Sequence, residues 1–541
     1  MDTPFGWRMR MLRMNPLASC LAMALAVGTG QVTASPTLQD AINKTAPASR
    51  ANLITTPAES LVDPSLQEAM LKRMLATMSR TPPPVPAGAL AVTNCNDSGA
   101  GSFRDAMNNA VDGDTIDLTN LDCSQITLTT GSVIALVDNL TIQGPGALAL
   151  DINGNDQYAP ILHVGSGTLS INDVMISHGF KYFTDAQTNP AKGGCIYSTN
   201  SISLSNSWVK YCQATSSNTT LGVKGGGIYA RSSLAVIDSS ITSNRAYSAH
   251  EYAYGGGIYS QGSLTIINST VSGNTAAAPE SWGQGAGAEV GSIFHTAGGA
   301  FVAKYSQISG NTATGGNGGL GGGLYTTGNV IIQNSTISAN QADIGAGLDL
   351  IEGANTDYPW TIANSTISGN HANVATGGIL NGGYPMRIGN STIAFNTDVN
   401  TNQKYGAGLR IGSSTNVELQ STIIAGNTTD LGSGPVEDDV YGEDTSTLSG
   451  ANNMIGLSLV TPPGDTVSGD PLLQPLHFNG GDTPTHALLP ESPAVSAGNN
   501  TAGVSFDQRG PGFPRQIGLN VDIGAFELDT DDVIFADNFD G

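Results

Sequence analysis

The sequence predicts an all-β fold, a right-handed parallel β-helix (a solenoid) of about ten coils with capping elements at both ends. Three observations predict it. A glycine triplet, Gly225-Gly226-Gly227-Ile228-Tyr229, returns as Gly255-Gly256-Gly257-Ile258-Tyr259 and as Gly321-Gly322-Gly323-Leu324-Tyr325, with Gly193-Gly194-Cys195-Ile196-Tyr197 as a variant. An asparagine closing a second motif recurs at Asn244, Asn274, Asn311, Asn340, Asn370, Asn396 and Asn427, in steps of 30, 37, 29, 30, 26 and 31. A period of this length marks stacked repeats. The chain also holds 69 Gly in 541 residues and only 12% charged residues, against about 7% Gly and about 25% charged in ordinary soluble chains. That composition disfavours helical bundles and leaves a surface of Ser, Thr, Asn and Gly. With 39% hydrophobic residues the chain has enough for a core, which disfavours disorder. A net charge of −23 with 21 Lys and Arg leaves no basic face for nucleic acid.

In chain order, residues 1–34 read as a secretory signal. Arg8, Arg10 and Arg13 precede the apolar run Leu17–Val27, and Ala34 ends a small-residue cleavage site. The run is too short to span a bilayer, and no later segment is long enough, so no transmembrane helix is expected in the mature chain. Residues 35–90 carry an apolar stripe (Leu66, Met70, Leu71, Met74, Leu75, Met78) at helical spacing, and then the breaker Pro82-Pro83-Pro84. Removal of the signal leaves Cys95, Cys123, Cys195 and Cys212. An even number in an exported chain fits two disulfides. Four cysteines allow three pairings, of which the nearest-neighbour one is expected; isolated thiols in small core positions are the alternative. No CxxC is present to suggest zinc.

Ser102–Ala110 reads as a short amphipathic helix capping the stack ahead of a first strand at Thr115–Leu118. Over 91–434 each period holds three short alternating stretches, as in Gly257–Ser260, Ser263–Asn268 and Ser269–Asn274. One period is one coil of three strands, stacked on its neighbours about 4.8 Å apart. The recurrent Asn forms a ladder, and the glycines open tight corners. Cys195 and Cys212 take the third-Gly and ladder positions of one coil. The stretch Ala276–Thr296, with Trp282, reads as an insertion forming a loop on one face. Residues 435–528, rich in Pro and turn signals, read as the last irregular coils and a C-terminal cap. Residues 529–541 form an acidic, aromatic tail.

At this point the residues resemble known families. Gly-Gly-Gly-Ile paired with Ile-Ser-Gly-Asn is similar to the repeats of polymorphic outer-membrane proteins, with Ile308, Ile337 and Ile367 standing where those repeats carry Phe. Gly101–Ala106 with Asp114–Ile116 is similar to the entry module of secreted parallel β-helix proteins. Asp470-Pro471-Leu472-Leu473, Asn479-Gly480-Gly481, His486-Ala487-Leu488, Ser492-Pro493-Ala494, Asp507-Gln508-Arg509-Gly510 and Asp522-Ile523-Gly524-Ala525 resemble the choice-of-anchor Q domain. These resemblances imply an extracellular or cell-surface β-helix and no particular reaction. The alternating strands of a membrane barrel do not follow the repeats, so self-transport through an outer membrane is not expected.

Chemistry is sparse. A polygalacturonase-like set would need Asn-Thr-Asp, Asp-Asp, Gly-His-Gly and Arg-Ile-Lys in order. The chain offers Asn355-Thr356-Asp357, Asp438-Asp439 and Arg410-Ile411-Gly412, with no Gly-His-Gly. A calcium-dependent lyase needs clustered carboxylates and a basic side chain on neighbouring coils; the candidates are Asp349, Glu352 and Asp357 with Arg387 or Arg410. Calcium is the only cofactor this chemistry would call for. Trp208, Trp282, Trp360, Tyr252, Tyr254 and Tyr358 offer aromatic platforms for sugar, or packing. The sequons at Asn268, Asn334, Asn364 and Asn390 fall on a repeat turn. The leading expectation is a monomeric, non-enzymatic surface adhesin or glycan-binding module. The alternatives are a polysaccharide lyase, hydrolase or epimerase on the same fold, and a structural filament.

Overall fold

A computed structural model describes residues 89–184, 190–291, 299–351, 359–400, 403–500 and 503–529. The expected signal peptide, the stripe at 66–78 and the tail from 530 lie outside these residues. The described chain winds as a parallel β-solenoid. Three sheets of 13, 12 and 11 strands form its walls, and we call them sheets I, II and III. The 11 strands of the shortest sheet bear out the expected count of about ten coils. In a typical coil Leu234–Ile237 lies in sheet I, Ser240–Thr242 in sheet II and Ile258–Ser260 in sheet III. Equivalent residues pair directly from coil to coil, as in Ile241↔Val271↔Ile308↔Ile337. Alternate side chains therefore build unbroken inward columns of Ile, Val and Leu, which form one continuous core. No single coil could bury them alone.

Three left-handed residues turn each coil. Asn268, Asn334, Asn364 and Asn390 hold φ of 47–49° between sheets I and II, which places the four sequon asparagines at a turn that Asn tolerates best after Gly. The residue before the ladder Asn is the second (Ser243, Gly273, Gly310, Ala339, Gly369), and the first Gly of each triplet is the third (Gly225, Gly255, Gly285, Gly321, Gly345).

The ladder asparagines are fully buried. Each donates its backbone N–H and its Nδ2 to the Oδ1 of the next, as Asn340 does to Asn370 at 3.0 and 2.9 Å. The second Nδ2 hydrogen goes to a carbonyl of the preceding coil. The ladder starts at the backbone N–H of Cys212 and ends at Asp439, whose Oδ1 accepts both donors of Asn427. A serine ladder (Ser207, Ser239, Ser269, Ser306, Ser335, Ser365, Ser391), absent from the sequence reading, runs at the neighbouring turn. From Ser239 onward each hydroxyl accepts the backbone N–H of the preceding coil's serine, and Ser207 accepts that of Val174. The third Gly of each triplet faces the ladder Asn of its own coil, 17 positions later at Gly227, Gly257 and Gly323: a Cβ on Gly257 would stand 2.8 Å from Asn274 Cγ. Cys195 and Cys212 replace such a pair with a disulfide that closes one triangle of strands, and a second disulfide joins Cys95 to Cys123.

Three expectations need correction. A coil is more than three strands. Between the ladder Asn and the triplet the chain runs out and back in two further strands, for example Arg245–Ser248 and Ala253–Tyr254. These stack into a flange of 15 strands, filled by alanines such as Ala214, Ala246, Ala276, Ala313 and Ala342. Most of the supposed insertion at 276–296 is therefore regular structure. Thr275–Ala278 and Trp282–Gln284 are flange strands and Ala288–Val290 belongs to sheet III. The excess length falls at 292–298, outside the described residues.

The entry and exit also differ. Leu90–Ala91 pairs with Ile116–Asp117, so the first strand precedes the helix. The helix itself is Phe103–Asn109, capped by Ser102 and plugging the core with Phe103 and Met107. At the other end, residues 435–455 complete the last coil, and Leu457–Val467 bonds across its open edge. Residues 470–528 do not extend this cap. They fold back along the outer face of sheet II, because the Ser, Thr and Ile side chains there offer both hydrogen bonds and an apolar surface. Ile423, Ala425 and Met454 join Leu488, Ala494 and Ile523 in a second core.

Candidate functional site

Two polar regions stand out. The first is the seam between the flange and the outer side of sheet III. The residue two positions after each triplet points outward from sheet III, giving the column Tyr229, Tyr259, Glu289, Tyr325, Asp349, Leu380, Arg410. The returning flange passes over it so closely that a Cβ on Gly345 would stand 2.8 Å from Asp349 Cβ. Asp349 is fully buried, and neither carboxylate oxygen has a hydrogen-bond partner. Burial pushes it up to about 8 against the pull of Arg410. Glu289, also buried, is pushed well above the carboxylate range by burial, with Lys224 opposing. Lys224 Nζ sits 3.1 Å from Tyr259 Oη, over the rings of Tyr254 and Tyr259. These groups are sealed off, and they do not form an open cleft.

The predicted catalytic set is not brought together. Asp349 and Arg410 share the sheet III column two rungs apart. Arg410 is bound by Glu443 at 2.7 Å and lies over Tyr405 and Tyr441. Arg387 lies on sheet I between Thr361 and Glu418, exposed and paired with Glu418. Glu352 and Asp357 lie outside the described residues, as does Tyr358. Among the described residues no three His, Cys, Asp or Glu side chains gather as a metal-holding group, and no helix is long and apolar enough to cross a membrane. Of the aromatic candidates, Trp360 is a core residue, Tyr254 stacks on Tyr252 against Tyr259, and Trp282 lies in the flange.

The second region is the outer face of sheet II, part-exposed at Trp208, Lys210, Ser240, Thr242 and Ser272 and buried at Asp151, Asn153, Ser177, Thr270, Gln307 and Ser309. Its two outward columns run Asp151, Met175, Trp208, Ser240, Thr270, Gln307 and Asn153, Ser177, Lys210, Thr242, Ser272, Ser309. Six rungs at about 4.8 Å give about 24 Å of length, and three-residue strands give about 10 Å of width. At one end stands a cluster the sequence reading missed apart from Trp208. Asp151 Oδ2 accepts from Gln125, Asn153 and Ser177 at 3.1, 3.1 and 2.8 Å, while its buried Oδ1 has no partner. His178 Nδ1 lies 2.9 Å from Ser177 Oγ. Its ring meets Tyr211, which is 46% exposed. Lys210 Nζ lies over both Trp208 and Tyr211. Beyond Ser309 the same columns are covered by the chain's own C-terminal segment. Thr336 Oγ1 donates to Pro484 O and Thr366 Oγ1 to Gln508 Oε1, both at 2.6 Å. Ser368 Oγ meets His486 Nε2 at 2.8 Å, and Ala525 N donates to Thr392 Oγ1.

No family model and no curated protein matches this chain. Among solved structures, that of pectate lyase Pel9A is similar at a TM-score of 0.36 and 14% identity, over 82% of this chain and 98% of that one.

Proposed function

We propose that the protein is an exported, non-enzymatic carbohydrate-binding solenoid of the cell surface or extracellular matrix. It holds an uncharged polysaccharide along the part-exposed stretch of sheet II from Trp208 to Ser272. One observation carries this reading: in the covered half, the hydroxyls of these columns hydrogen-bond an extended chain, the protein's own C-terminal segment. Further along, Ser240, Thr242 and Ser272 of the same columns are part-exposed, and Trp208 and Tyr211 beside them add rings suited to the apolar side of a sugar. Asp151 and Lys210 balance in charge, and a net charge of −23 repels anionic polymers. The N-terminal signal and the resemblance of residues 470–525 to the choice-of-anchor Q domain support the surface setting.

The test is retention of the full chain on insoluble xylan, mannan, β-glucan, chitin and pectate. Retention on an uncharged polymer, weakened about tenfold or more by Trp208→Ala, is expected. Retention unchanged by Trp208→Ala and by the blocking variant Thr242→Trp would sink the reading. A second reading, a polysaccharide-active enzyme, is favoured by the unpartnered, buried Oδ1 of Asp151 beside Ser177 and His178. Unsaturated ends or new reducing ends that vanish in Asp151→Asn, with or without calcium, would establish it in place of the first.

A further inference from the structure

On its first two coils the outer face of sheet III is bare and apolar, and from this we infer that it is the docking face for the chain's own segment 69–80. The outward column of sheet III begins Ile134, Leu162, Tyr197, Tyr229 and continues beneath the flange. From Tyr229 to Arg410 every member is buried, at most 5% exposed. The flange begins only with Phe180–Phe183 and Ala191–Lys192. In the two coils before it, residues 128–132 and 154–160 lead from sheet II to sheet III with no strand between. Ile134 is therefore 46% exposed and Leu162 part-exposed. Val164 N donates to Ala135 O at 2.9 Å, which sets Leu136 beside Val164 on the same face, at 77% and 44% exposure. Solvent would select the reverse pattern: the covered positions include Glu289, Asp349 and Arg410, and the bare ones are Ile, Leu, Leu and Val. Single exposed apolar side chains are ordinary. Four on adjacent rungs, about 4.8 Å apart, form a patch of the kind that marks an interface.

Three observations name the occupant. Met70, Leu71, Met74, Leu75 and Met78 recur at helical spacing, and such a stripe needs an apolar surface to lie on. Methionine side chains adapt to an uneven one. The tether fits as well. Residues 81–88, with Pro82, Pro83, Pro84 and Pro86, join the stripe to Leu90–Ala91, which pairs with Ile116–Asp117 at this same end of the stack. Extended, they reach about 25 Å, and facing sheets lie about 10 Å apart, so the stripe can pass from sheet I to the outer side of sheet III. The charges also match. Segment 69–80 carries Lys72, Arg73 and Arg80 and no acidic residue. The patch is bordered by exposed Asp112 and Asp138, brought together where Asn139 N donates to Asp112 Oδ1 at 2.7 Å. Docked there, the segment covers the column on the first two coils as the flange covers it on the rest. The inference does not depend on what the solenoid binds.

The test is limited trypsin cleavage of the full chain after Lys72 and Arg73, followed by mass spectrometry, because proteolysis reports how often a docked segment is released. Cleavage in the parent chain should be slow. Leu136→Asp on the patch and Met74→Asp on the segment should each speed it about tenfold or more. The two together should go no further than either alone, since both break one contact. Leu136 is exposed, so the urea midpoint read by Trp360 fluorescence should hold. Leu459→Asp, at a side chain 53% exposed near the other end, should leave cleavage unchanged. Cleavage as fast in the parent chain as in Leu136→Asp would overturn the inference. So would a dimer, seen by sedimentation and dissolved by Leu136→Asp with cleavage unaltered, which would give the patch to a second copy.

Discussion

Replacing Asn340 by alanine tests the ladder at its centre. The Oδ1 of Asn340 accepts from Asn311 N at 3.0 Å and Asn311 Nδ2 at 2.9 Å. Its Nδ2 donates to Ile308 O at 3.0 Å and Asn370 Oδ1 at 2.9 Å. The side chain is fully buried, so water cannot replace it without opening the stack. Truncation removes four hydrogen bonds and strands two polar groups, the Asn311 backbone N–H and one hydrogen of its amide; the Ile308 carbonyl keeps its strand-pairing bond to the next coil. At about 1–3 kcal/mol for each stranded group, with some relief from relaxation, the expected loss is about 2–5 kcal/mol. Coils touch only their neighbours, so the damage is local. The assay is urea unfolding of the full chain followed by the fluorescence of Trp360, which is buried one coil away, with hydrogen exchange over residues 336–344. A loss below about 1 kcal/mol, no larger than that of Thr242→Ala on the part-exposed face of sheet II, would refute the reasoning. It would mean that strand pairing alone holds the corner.

Other predictions follow from the same contacts. Gly345 has φ +58° and no room for a methyl group beside Asp349; Gly345→Ala should cost about 3 kcal/mol from left-handed strain plus overpacking, read as a lowered urea midpoint. Cys212→Ser opens a bridge of sequence separation 17 and should cost about 3 kcal/mol. The pair Cys195→Gly with Cys212→Asn should recover most of that by extending the ladder one rung, and failure to recover would show that the coil lacks the ladder geometry. Burial raises Asp349 to about 8, Glu527 to about 7, and Asp398 and Asp439 to about 6. In the unfolded chain these acids ionise near pH 4, so between about pH 5 and 8 the unfolded state binds fewer protons than the folded one. Stability should therefore fall as pH rises through this window. Asp349→Asn should flatten the upper part of the decline, and a urea midpoint that climbed from pH 5 to 8 would contradict the assignment.

The repeats were legible because each coil reuses the same left-handed turns, and Gly and Asn at those positions leave a periodic mark. The flange left no such mark. Its strands are built from alanine, serine and threonine between loops of variable length, and a core of single methyl groups looks like loop in sequence. The coils before Cys195 lack the glycine triplet, which hid the cluster of Asp151, Asn153, Ser177 and His178. The catalytic grouping failed for a reason that register explains. Asp349 and Arg410 each stand two residues after a triplet's last position, Gly347 and Gly408, and so share a column. Arg387 stands in the sheet I stretch and faces elsewhere. Counting from the nearest corner, and not along the chain, separates them.

The amides of the asparagine ladder all point one way, with each NH2 toward the C-terminus and each oxygen toward Cys212. Seven side-chain dipoles in series make the interior of the solenoid electrically polarised along its axis, with the positive pole at Asn427. Asp439 places a carboxylate against that pole, the same complementarity that draws anions to the positive end of a helix. The two ends of the column are therefore not interchangeable. A coil can be inserted or removed anywhere between Asn244 and Asn427 without altering the polarity, whereas an acceptor such as Asp439 suits only the last rung. The number of coils is thus an adjustable dimension of this molecule, and its direction is fixed.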